Sequence, residues 1–462
     1  MIRRSSPHQA TLLGVPRSKA AVLFSSGRLV FAAGLVACTA SAEQVRPPED
    51  QFFFPTGAAV APDDTRLFVA NANSELRYDS GAITVVDLAI VDQISLDWTV
   101  AKTVPDGCTQ DPDHIETLTC DEARFIIPHT GARIGNFATD IAIQDRGAGN
   151  LRLIVPTRGD PSVAWVDFDG SKLSCSTSEG FALCDETHRL AYVHNNPDLA
   201  VLPDEPFNVF ADSANGYAVV THLTTGAVTL INSPSDGNAT IADVTTGIFA
   251  ADSLTGLRGS TGVAGRQING SDLIYVGSRS ENRIQTFTIG RPVNDADPYF
   301  IPSNFFFLDS VGANAGSSGD TRGMAFSSSG DRLYLVNRKP PSLQVLDTSL
   351  KTTGYPANVG IAATDICRQA STLSVMDSGD GDRVYITCFQ DGQVYIVDPR
   401  GQSSVEDILT VGRGPYAVVS APTRKKVYVT NVLEDTIAVI DVAPGSPTRN
   451  RVVLRIGEVK PP

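Results

Sequence analysis

Two aspartates share one local context, Ala-Thr-Asp-Ile, at Asp140 and Asp365. A carboxylate set among small and apolar residues can serve a cation, a polar ligand or ordered water inside a protein. It can equally accept hydrogen bonds from neighbouring backbone amides, which is a purely structural role. The sequence favours the structural role and leaves the ligand-binding role open.

The other reactive residues form no recognisable catalytic or metal-binding pattern. The sequence contains no Gly-x-Ser-x-Gly, no phosphate-binding glycine-rich loop and no Cys-x-x-Cys-His. The histidines that follow the first 37 residues lack paired spacing and carboxylate partners, and they are His114, His129, His188, His194 and His222. We therefore predict no resident metal or cofactor, although a catalytic triad assembled only in three dimensions remains open.

One acidic stretch, Asp377–Asp382, looks like a calcium loop because it is rich in side-chain oxygens. Its aspartates do not follow the spacing of an EF-hand loop, which also needs a glutamate at its twelfth position. Similar stretches at Pro62–Thr65 and Ser329–Asp331 stand at the same place in other repeats. A hairpin turn is the favoured interpretation, and Ca²⁺ is the alternative.

The first 37 residues differ from the rest of the chain. They carry five basic residues and no acidic residue, and they end in the apolar run Leu29–Ala37 directly before Cys38. This arrangement is typical of a secretory signal, and the apolar run is too short to span a bilayer. The segment Leu35–Cys38 also resembles the lipobox of bacterial lipoproteins, which implies cleavage before Cys38 and lipidation of Cys38. A plain signal peptide is the alternative.

We accordingly divide the chain into a lipoprotein signal peptide (1–37), a lipidated cysteine with its tether (38–53) and a folded domain (54–462). Thr39 rather than Asp follows Cys38, which by the common sorting rule implies the outer membrane. The expected location is the cell envelope, with membrane contact through the lipid anchor only.

The charge balance limits the class of partner. The net charge of the whole chain is −14, and removing the five basic residues of the leader gives −14 − 5 = −19. An acidic surface argues against nucleic acid and anionic lipid as ligands. The expected partner is an envelope protein or a surface ligand.

From Phe52 onward the chain repeats a unit of three apolar strands. Residues alternate with the period of a β-strand, as in Lys426–Asp441, and turns rich in Asp, Gly or Ser separate the strands. Seven copies can be aligned, at Pro55–Leu88, Ala138–Asp169, Pro206–Ser233, Ser260–Ile289, Thr321–Thr348, Ala363–Pro399 and Pro415–Val442.

A further apolar segment follows each copy, and examples are Arg124–Pro128, Phe305–Leu308, Asp407–Val411 and Arg451–Ile456. Seven repeats of four strands predict an all-β protein, a seven-bladed β-propeller of four-stranded antiparallel blades. We expect Arg451–Ile456 to be the outer strand of the last blade, so that Phe52–Phe54 packs on the first blade. The alternative is that Phe52–Phe54 closes the ring as a strand.

Six cysteines remain when Cys38 is set aside, an even number that favours disulfides in an exported protein. Of the 15 pairings that six cysteines allow, proximity favours Cys108–Cys120, Cys175–Cys184 and Cys367–Cys388. Free buried thiols are the alternative, and a metal site is disfavoured. Two of these pairs lie in long insertions, Ala89–Glu122 and Leu173–Asp204, which we assign to neighbouring blades two and three and expect to share one surface.

The last copy contains Tyr428-Val429-Thr430-Asn431, within a pattern that is met almost fully between Gly412 and Asp441. It resembles the YVTN-repeat β-propellers, relatives of the YncE-like proteins. Copies one and five keep part of the pattern, and the other four are degenerate. The resemblance implies the propeller fold over most of residues 54–457, and it leaves function open because propellers host many unrelated activities.

In a propeller the first strand of each blade lines the central channel, so the alignment predicts which side chains meet there. One position holds Gly57, Asp140, Asn208, Gly262, Gly323, Asp365 and Ala417. The preceding position holds Thr56, Thr139, Phe207, Thr261, Arg322, Thr364 and Tyr416. The polar and aromatic members form the predicted channel ligand site, which consists of Asp140, Asn208, Asp365, Arg322 and Tyr416.

The sequence favours a non-catalytic, lipid-anchored binding or scaffold module whose variable loops form the contact face. The alternative is a hydrolase, lactonase-like or metal-dependent, that uses Asp140, Asn208 and Asp365 at the channel mouth. A purely structural surface protein is the third hypothesis.

Overall fold

The computed structural model describes residues 45–176, 181–191, 202–253, 255–292, 297–308 and 319–458. Cys38 and the predicted signal peptide lie outside these residues. The regular structure is nearly all β, in seven sheets that follow one another along the chain. Within the described ranges, we find no helix long and apolar enough to cross a membrane.

In each sheet the blade strands pair antiparallel, and strands from two insertions extend some sheets, as Ala182–Leu183 does by pairing parallel with Ala132–Ile134 of blade one. The strands of blade one are Pro55–Val60, Arg66–Asn71, Gly81–Asp87 and Ala132–Ile134. Those of blade two are Ala142–Asp145, Leu151–Thr157 and Ser162–Phe168, with short outer strands Leu173–Ser174 and Arg189–Leu190. Those of blade three are Pro206–Asp212, Tyr217–His222, Val228–Asn232 and Thr240–Thr245.

The remaining blades are regular. The strands of blade four are Ser260–Ile268, Ser271–Ser278, Arg283–Gly290 and Tyr299–Phe307. Those of blade five are Thr321–Phe326, Arg332–Arg338, Pro341–Asp347 and Val359–Asp365, and those of blade six are Ala370–Asp377, Asp382–Cys388, Gln393–Asp398 and Ser404–Thr410. Those of blade seven are Pro415–Ala421, Lys426–Asn431, Thr436–Asp441 and Arg451–Ile456. The predicted seven-bladed propeller is therefore confirmed.

Both faces of a blade are buried, and this explains why its middle strands are apolar on both sides. In blade seven, Val427 and Val429 pack into a core shared with blade six, whereas Tyr428 between them packs toward blade one. Alternate residues point to opposite faces of a strand. A strand between two blades therefore needs an apolar residue at nearly every position.

In blades one and five, the asparagine at the end of the second strand ties the blade to the segment that enters it. Oδ1 of Asn71 accepts a hydrogen bond from the amide of Phe53 at 3.1 Å. Oδ1 of Asn337 likewise accepts one from the amide of Asp320 at 2.9 Å. The side chain thus satisfies a buried backbone group just before the first strand begins.

Two degenerate blades keep this tie with different chemistry. In blade three the equivalent residue is His222, whose Nδ1 lies 3.1 Å from the Asp204 carbonyl oxygen, and burial lowers the His222 pKa to about 4. In blade six it is Cys388, which forms a disulfide with Cys367 in the entering segment. The chemistry of this position therefore varies while its mechanical role is retained.

The alignment of the sixth copy was wrong. Val359–Asp365 is the outer strand of blade five, paired with Pro341–Asp347, and blade six begins at Ala370. Asp365 is therefore exposed on an outer strand, and Thr372 takes the axial position that was assigned to it. The shared Ala-Thr-Asp-Ile tetrapeptide was the misleading signal, because four residues of β pattern fit an outer strand as well as an inner one.

The outer strand of blade one is interrupted. The predicted segment Arg124–Pro128 does lie beside the third strand, since Ile126 forms a bridge with Val86. The amide of Ile127 also donates to the Val85 carbonyl at 2.8 Å. The regular outer strand begins only at Ala132–Ile134. The sequence analysis therefore found the first part of this edge and missed the second.

All three predicted disulfides are present. Their insertions, however, belong to blades one and two rather than two and three, and they do not share one core. Cys108 and Cys120 lie in the hydrophobic cluster between blades seven and one. Cys175 and Cys184 lie in the cluster between blades one and two. The two disulfides therefore stabilise different interfaces between blades.

The insertion of blade one closes the ring. It begins with the helix Leu88–Leu96, a π-helical turn at Asp97–Ala101 and the hairpin strands Cys108–Gln110 and Leu118–Cys120, and it ends with the 3-10 turn Glu122–Arg124. Leu118–Cys120 pairs parallel with Arg451–Ile456, so the hairpin extends the outer edge of blade seven.

Polar contacts fix this closing hairpin. Thr117 Oγ1 donates to the Val452 carbonyl at 2.7 Å, and a guanidinium nitrogen of Arg455 lies 3.0 Å from Asp111 Oδ2. Arg451–Ile456 is the outer strand of blade seven, as predicted, and Phe52 packs into the core between blades seven and one. Among the described residues, ring closure therefore depends on an internal insertion and not on an N-terminal strand.

We predict that loss of the Cys108–Cys120 disulfide destabilises the ring more than loss of Cys175–Cys184. The two loops have similar sequence separations, 12 and 9 residues, so chain entropy alone gives similar losses of about 2–3 kcal/mol. Only the first substitution also loosens the closing hairpin. Urea unfolding of Cys108→Ala/Cys120→Ala, compared with Cys175→Ala/Cys184→Ala, measures the difference. Equal midpoints would contradict a closing role for the hairpin.

Candidate functional site

The first strands carry an irregularity at the two positions that face the axis. In every blade except blade two the pairing with the second strand shifts register near its start. In blade seven, for example, the shift falls between Pro415 and Val418. A bulge of this kind redirects side chains and is common beside active sites. The second and third residues of the inner strands are therefore displaced from the regular ladder.

Space at the third position is tight. A Cβ atom on Gly57 would lie 2.9 Å from the carbonyl carbon of Asp140, and one on Gly323 would lie 2.9 Å from the amide nitrogen of Leu373. Small residues are thus a steric requirement where the strands converge. Side chains as large as Asp140 and Asn208 depart from this pattern and are the natural candidates for function.

Asp140 borders a cavity of about 360 Å³ on the ring axis. Its Oδ1 accepts from the amide of Ile141 at 2.9 Å, and its Oδ2 accepts from the amide of Val209 at 3.1 Å. Burial raises the Asp140 pKa to about 7, against the lowering effect of these two amides. A carboxyl group with this pKa exchanges its proton near neutral pH, as a general acid or base must.

Asn208 links blade three to blade five. Its Nδ2 donates to the Arg322 carbonyl at 3.1 Å, and its own amide donates to Thr221 Oγ1 at 3.1 Å. The intervening blade has Gly262 at this position, where a Cβ would lie 3.3 Å from the same Arg322 carbonyl oxygen. A side chain in blade four would therefore compete with Asn208, so the glycine makes the cross-ring bond feasible.

Arg322 and Tyr416 occupy the second position, one residue nearer the mouth. Nε of Arg322, which is nearly buried, lies 2.7 Å from Asp320 Oδ1, and its guanidinium lies 5.8 Å from the centre of the Phe207 ring. Burial raises the Tyr416 pKa, which Arg322 lowers and Asp140 raises. The charges of Arg322 and Asp140 thus act on one tyrosine, which places these three residues in a common electrostatic environment.

Three more arginines surround the same mouth, and the sequence analysis missed them. They are Arg158, Arg279 and Arg338, and each stands at the end of the second strand, one residue after the repeat position that holds Asn71 in blade one. Each also donates its backbone amide to the segment that enters its own blade. The repeat alignment could have revealed two of them, because the second strands of copies two and five end in Thr157-Arg158 and Asn337-Arg338.

The arginines outnumber the acidic groups beside them. Arg158 pairs with Glu205 at 2.5 Å, and Arg322 pairs with Asp320. Within the described part of the chain, Arg279 and Arg338 have no carboxylate oxygen within 4.0 Å. Burial, together with the positive charge of Arg322, lowers the pKa of Arg338 to about 10 and lowers that of Arg279 as well.

Four of the five predicted site residues therefore come together on the axis. Asp140, Asn208, Arg322 and Tyr416 occupy adjacent levels of the channel mouth. Asp365 does not join them, because it lies on an outer strand.

The acidic stretch Asp377–Asp382 is the turn between the first two strands of blade six, as the favoured interpretation held. Oδ1 of Asp377 accepts from the amides of Gly379 and Gly381, and Asp380 pairs with Arg449 at 2.9 Å. Where the structure describes the chain, no three His, Cys, Asp or Glu side chains are arranged to hold a metal ion. His194 lies outside the described residues.

We predict that Asp140→Asn changes how stability depends on pH. The native carboxyl keeps its proton up to about pH 7, whereas the unfolded one releases it near 3.8. Wild-type stability should therefore fall as pH rises through this interval. The neutral Asn removes this penalty, so the variant should gain on the order of 2 kcal/mol relative to wild type between pH 5 and pH 8.

Urea unfolding at several pH values measures this gain. The asparagine side chain has one acceptor oxygen and cannot accept both backbone amides, so the variant loses some stability at every pH. That constant loss does not change how the difference in stability between variant and wild type depends on pH. Asp365→Asn, on the exposed outer strand, is the matched control and should show no comparable trend. A difference between wild type and Asp140→Asn that is the same at every pH would contradict the raised pKa.

Comparisons with known proteins support the fold. No protein-family model matches the sequence, and no curated protein matches it significantly. A Bacteroides fragilis structure, provisionally described as a 6-phosphogluconolactonase, superposes with a TM-score of 0.55 at 12% identity over 86% of this chain and 99% of its own. A Lactobacillus plantarum protein gives 0.54 at 14% identity, covering 82% and 92% of the two chains.

The periplasmic gluconolactonase of Pseudomonas aeruginosa gives a TM-score of 0.51 at 15% identity, covering 79% of this chain and 87% of its own. At such identities the likeness concerns the backbone fold. The chain therefore has the seven-bladed β-propeller fold that these structures share.

Proposed function

We propose that the protein hydrolyses a sugar-derived lactone at the ring axis. The observation that carries this proposal is the position of Asp140. It borders the axial cavity and lies next to the arginine-lined mouth, by which we mean Arg158, Arg279, Arg322 and Arg338. A carboxylate offers about four lone-pair sites, and backbone amides use two of them at Asp140. The remaining sites are free to accept a proton from water.

The proposed reaction is addition of water to the lactone carbonyl. Asp140 takes a proton from the water as the new C–O bond forms, and negative charge collects on the carbonyl oxygen. The ring C–O bond then breaks, and the leaving alkoxide takes the proton from Asp140. One water molecule is consumed, one hydroxy acid is produced, and Asp140 is restored.

Donors at the adjoining position suit the negative charge that develops. Burial raises the pKa of Tyr416 and so keeps its hydroxyl protonated, ready to donate a hydrogen bond. Arg322 adds a guanidinium that is largely shielded from solvent. Donors that are already oriented in a poorly solvated site stabilise an oxyanion more than donors in water do.

The fold neighbours add support by analogy only. The Pseudomonas aeruginosa protein is named a gluconolactonase, and the Bacteroides fragilis protein is provisionally described as a 6-phosphogluconolactonase. A propeller scaffold can host many activities. The proposal therefore depends on the axial residues, and the neighbours suggest which lactones to try first.

A non-catalytic binding or scaffold module is the second candidate, and one observation favours it. Both carboxylate oxygens of Asp140 already accept backbone amides of blades two and three, as a purely structural aspartate would. In that case an envelope protein or a surface ligand would bind the loops, and Asp140 would only join two blades. Lactone hydrolysis that is lost in the Asp140 variant would favour the enzyme, and absence of hydrolysis in the wild type would favour the binding module.

The proposed setting is the cell envelope, with a lipid on Cys38. Three disulfides suit an oxidising compartment. We predict that a palmitate analogue labels the protein in growing bacteria and that Cys38→Ser abolishes the label. Metabolic labelling followed by gel fluorescence measures this. Equal labelling of the variant would rule out Cys38 as the anchor.

For the enzymatic activity, we predict that wild-type protein hydrolyses glucono-δ-lactone or its 6-phosphate faster than buffer alone. The rate should rise with pH and level off above about 7, because the base must be ionised. Asp140→Asn should lower kcat by roughly 10²–10⁴-fold. Titration of the released acid at constant pH, corrected for spontaneous hydrolysis, measures both effects.

Asp365→Asn is the control for this experiment, since it makes the same substitution far from the axis. It should hydrolyse lactone at the wild-type rate. Hydrolysis no faster than buffer with either lactone would reject the proposed activity. Full activity in Asp140→Asn would instead reject Asp140 as the base.

A further inference from the structure

Among the described residues, the four arginines at the channel mouth outnumber the carboxylates that pair with them. Glu205 compensates Arg158, and Asp320 compensates Arg322, at 2.5 and 2.7 Å. Arg279 and Arg338 instead donate to backbone carbonyls, those of Leu223 at 3.4 Å and Ala370 at 2.6 Å. Two guanidinium groups therefore lack a paired carboxylate among the described residues, in a protein whose overall charge is −14.

These two cations are held where charge repulsion opposes them. Arg279 and Arg338 are both half-buried, and the charge of Arg322 acts on each of them. Like charges brought together away from bulk water repel more strongly than charges on an open surface. An anion placed among them would relieve that repulsion and would gain from all three guanidinium groups.

The shape of the mouth limits what that anion is. The arginines stand on blades two, four and five around a single axis, beside the aromatic rings of Phe207 and Tyr416. Guanidinium groups bind carboxylate and phosphate with two parallel hydrogen bonds. Aromatic rings at the same opening offer apolar surface to a sugar ring. A small molecule that carries one such anionic group fits these features.

We propose that Arg279 and Arg338 bind the carboxylate or phosphate group of a small sugar-acid ligand at the channel mouth. This inference deepens the proposed function, since it makes the substrate an anionic lactone, and it rests on the proposed location of the site. It does not depend on catalysis, because the arginines would bind the stable hydroxy acid as well as the lactone.

Isothermal titration calorimetry tests the proposal with four probes: 6-phosphogluconate, gluconate, inorganic phosphate and uncharged glucose. Wild-type protein should bind 6-phosphogluconate at least tenfold more tightly than glucose, and binding should weaken as salt is raised. Arg279→Gln and Arg338→Gln should each weaken binding of the anionic probes about tenfold, the loss of one charge-assisted hydrogen-bonded contact.

Arg413→Gln is the matched control, because it removes the same charge from the same face at a residue paired with Glu434. It should leave anion binding unchanged. Thermal melts of each variant show whether it is folded, and the comparison of 6-phosphogluconate with glucose on wild type requires no variant.

The outcomes are distinguishable. Equal affinity of wild type for 6-phosphogluconate and glucose would overturn the proposal, and so would unchanged anion binding in both Arg279→Gln and Arg338→Gln. Tight, arginine-dependent binding without lactone hydrolysis would support the anion site and reject the proposed catalytic function.

Discussion

The structure depends on the joint between the last blade and the first. Six interfaces between blades connect consecutive parts of the chain, but the seventh must be made by residues that are far apart in sequence. Here an insertion of blade one crosses that joint and adds two strands to the outer edge of blade seven. The disulfide Cys108–Cys120 ties the hairpin together, and Trp98 and Leu118 bury apolar surface beneath it. Each large side chain buried there contributes about 1.5–3 kcal/mol.

A closed ring in turn fixes the entrances of the inner strands. In several blades a side chain at one repeat position holds the entrance to the end of the second strand: Asn71 in blade one, His222 in blade three and a disulfide at Cys388 in blade six. In every blade except blade two, the inner strand shifts register just after its start, at the residues that reach the axis. The site is thus positioned by backbone constraints rather than by contacts among the site residues.

The sequence predicted those features that repeat locally. The pattern around Tyr428 predicted the blades, and proximity predicted the disulfides, because both depend on nearby residues. Asp365 was misplaced because its tetrapeptide fits two strands of the same period. The arginines at 158, 279 and 338 were missed because each is unremarkable within its own blade. Their common location exists only when the ring brings the blades together, and no local pattern records that.

An anionic ligand experiences two opposing electrostatic effects: the acidic exterior of the protein repels it, and the arginines on the axis attract it. At physiological ionic strength charges are screened beyond about 8 Å, so the acidic exterior has little influence on a ligand already at the mouth. There Glu205 and Asp320 pair with two of the four arginines, and an ionised Asp140 would offset only one of the other two charges. Recognition of an anion is therefore local, and its selectivity depends on the geometry of Arg279 and Arg338. Under the proposed function, the same arginines would also bind the hydroxy acid that hydrolysis produces, because that product carries the same anionic group as the substrate.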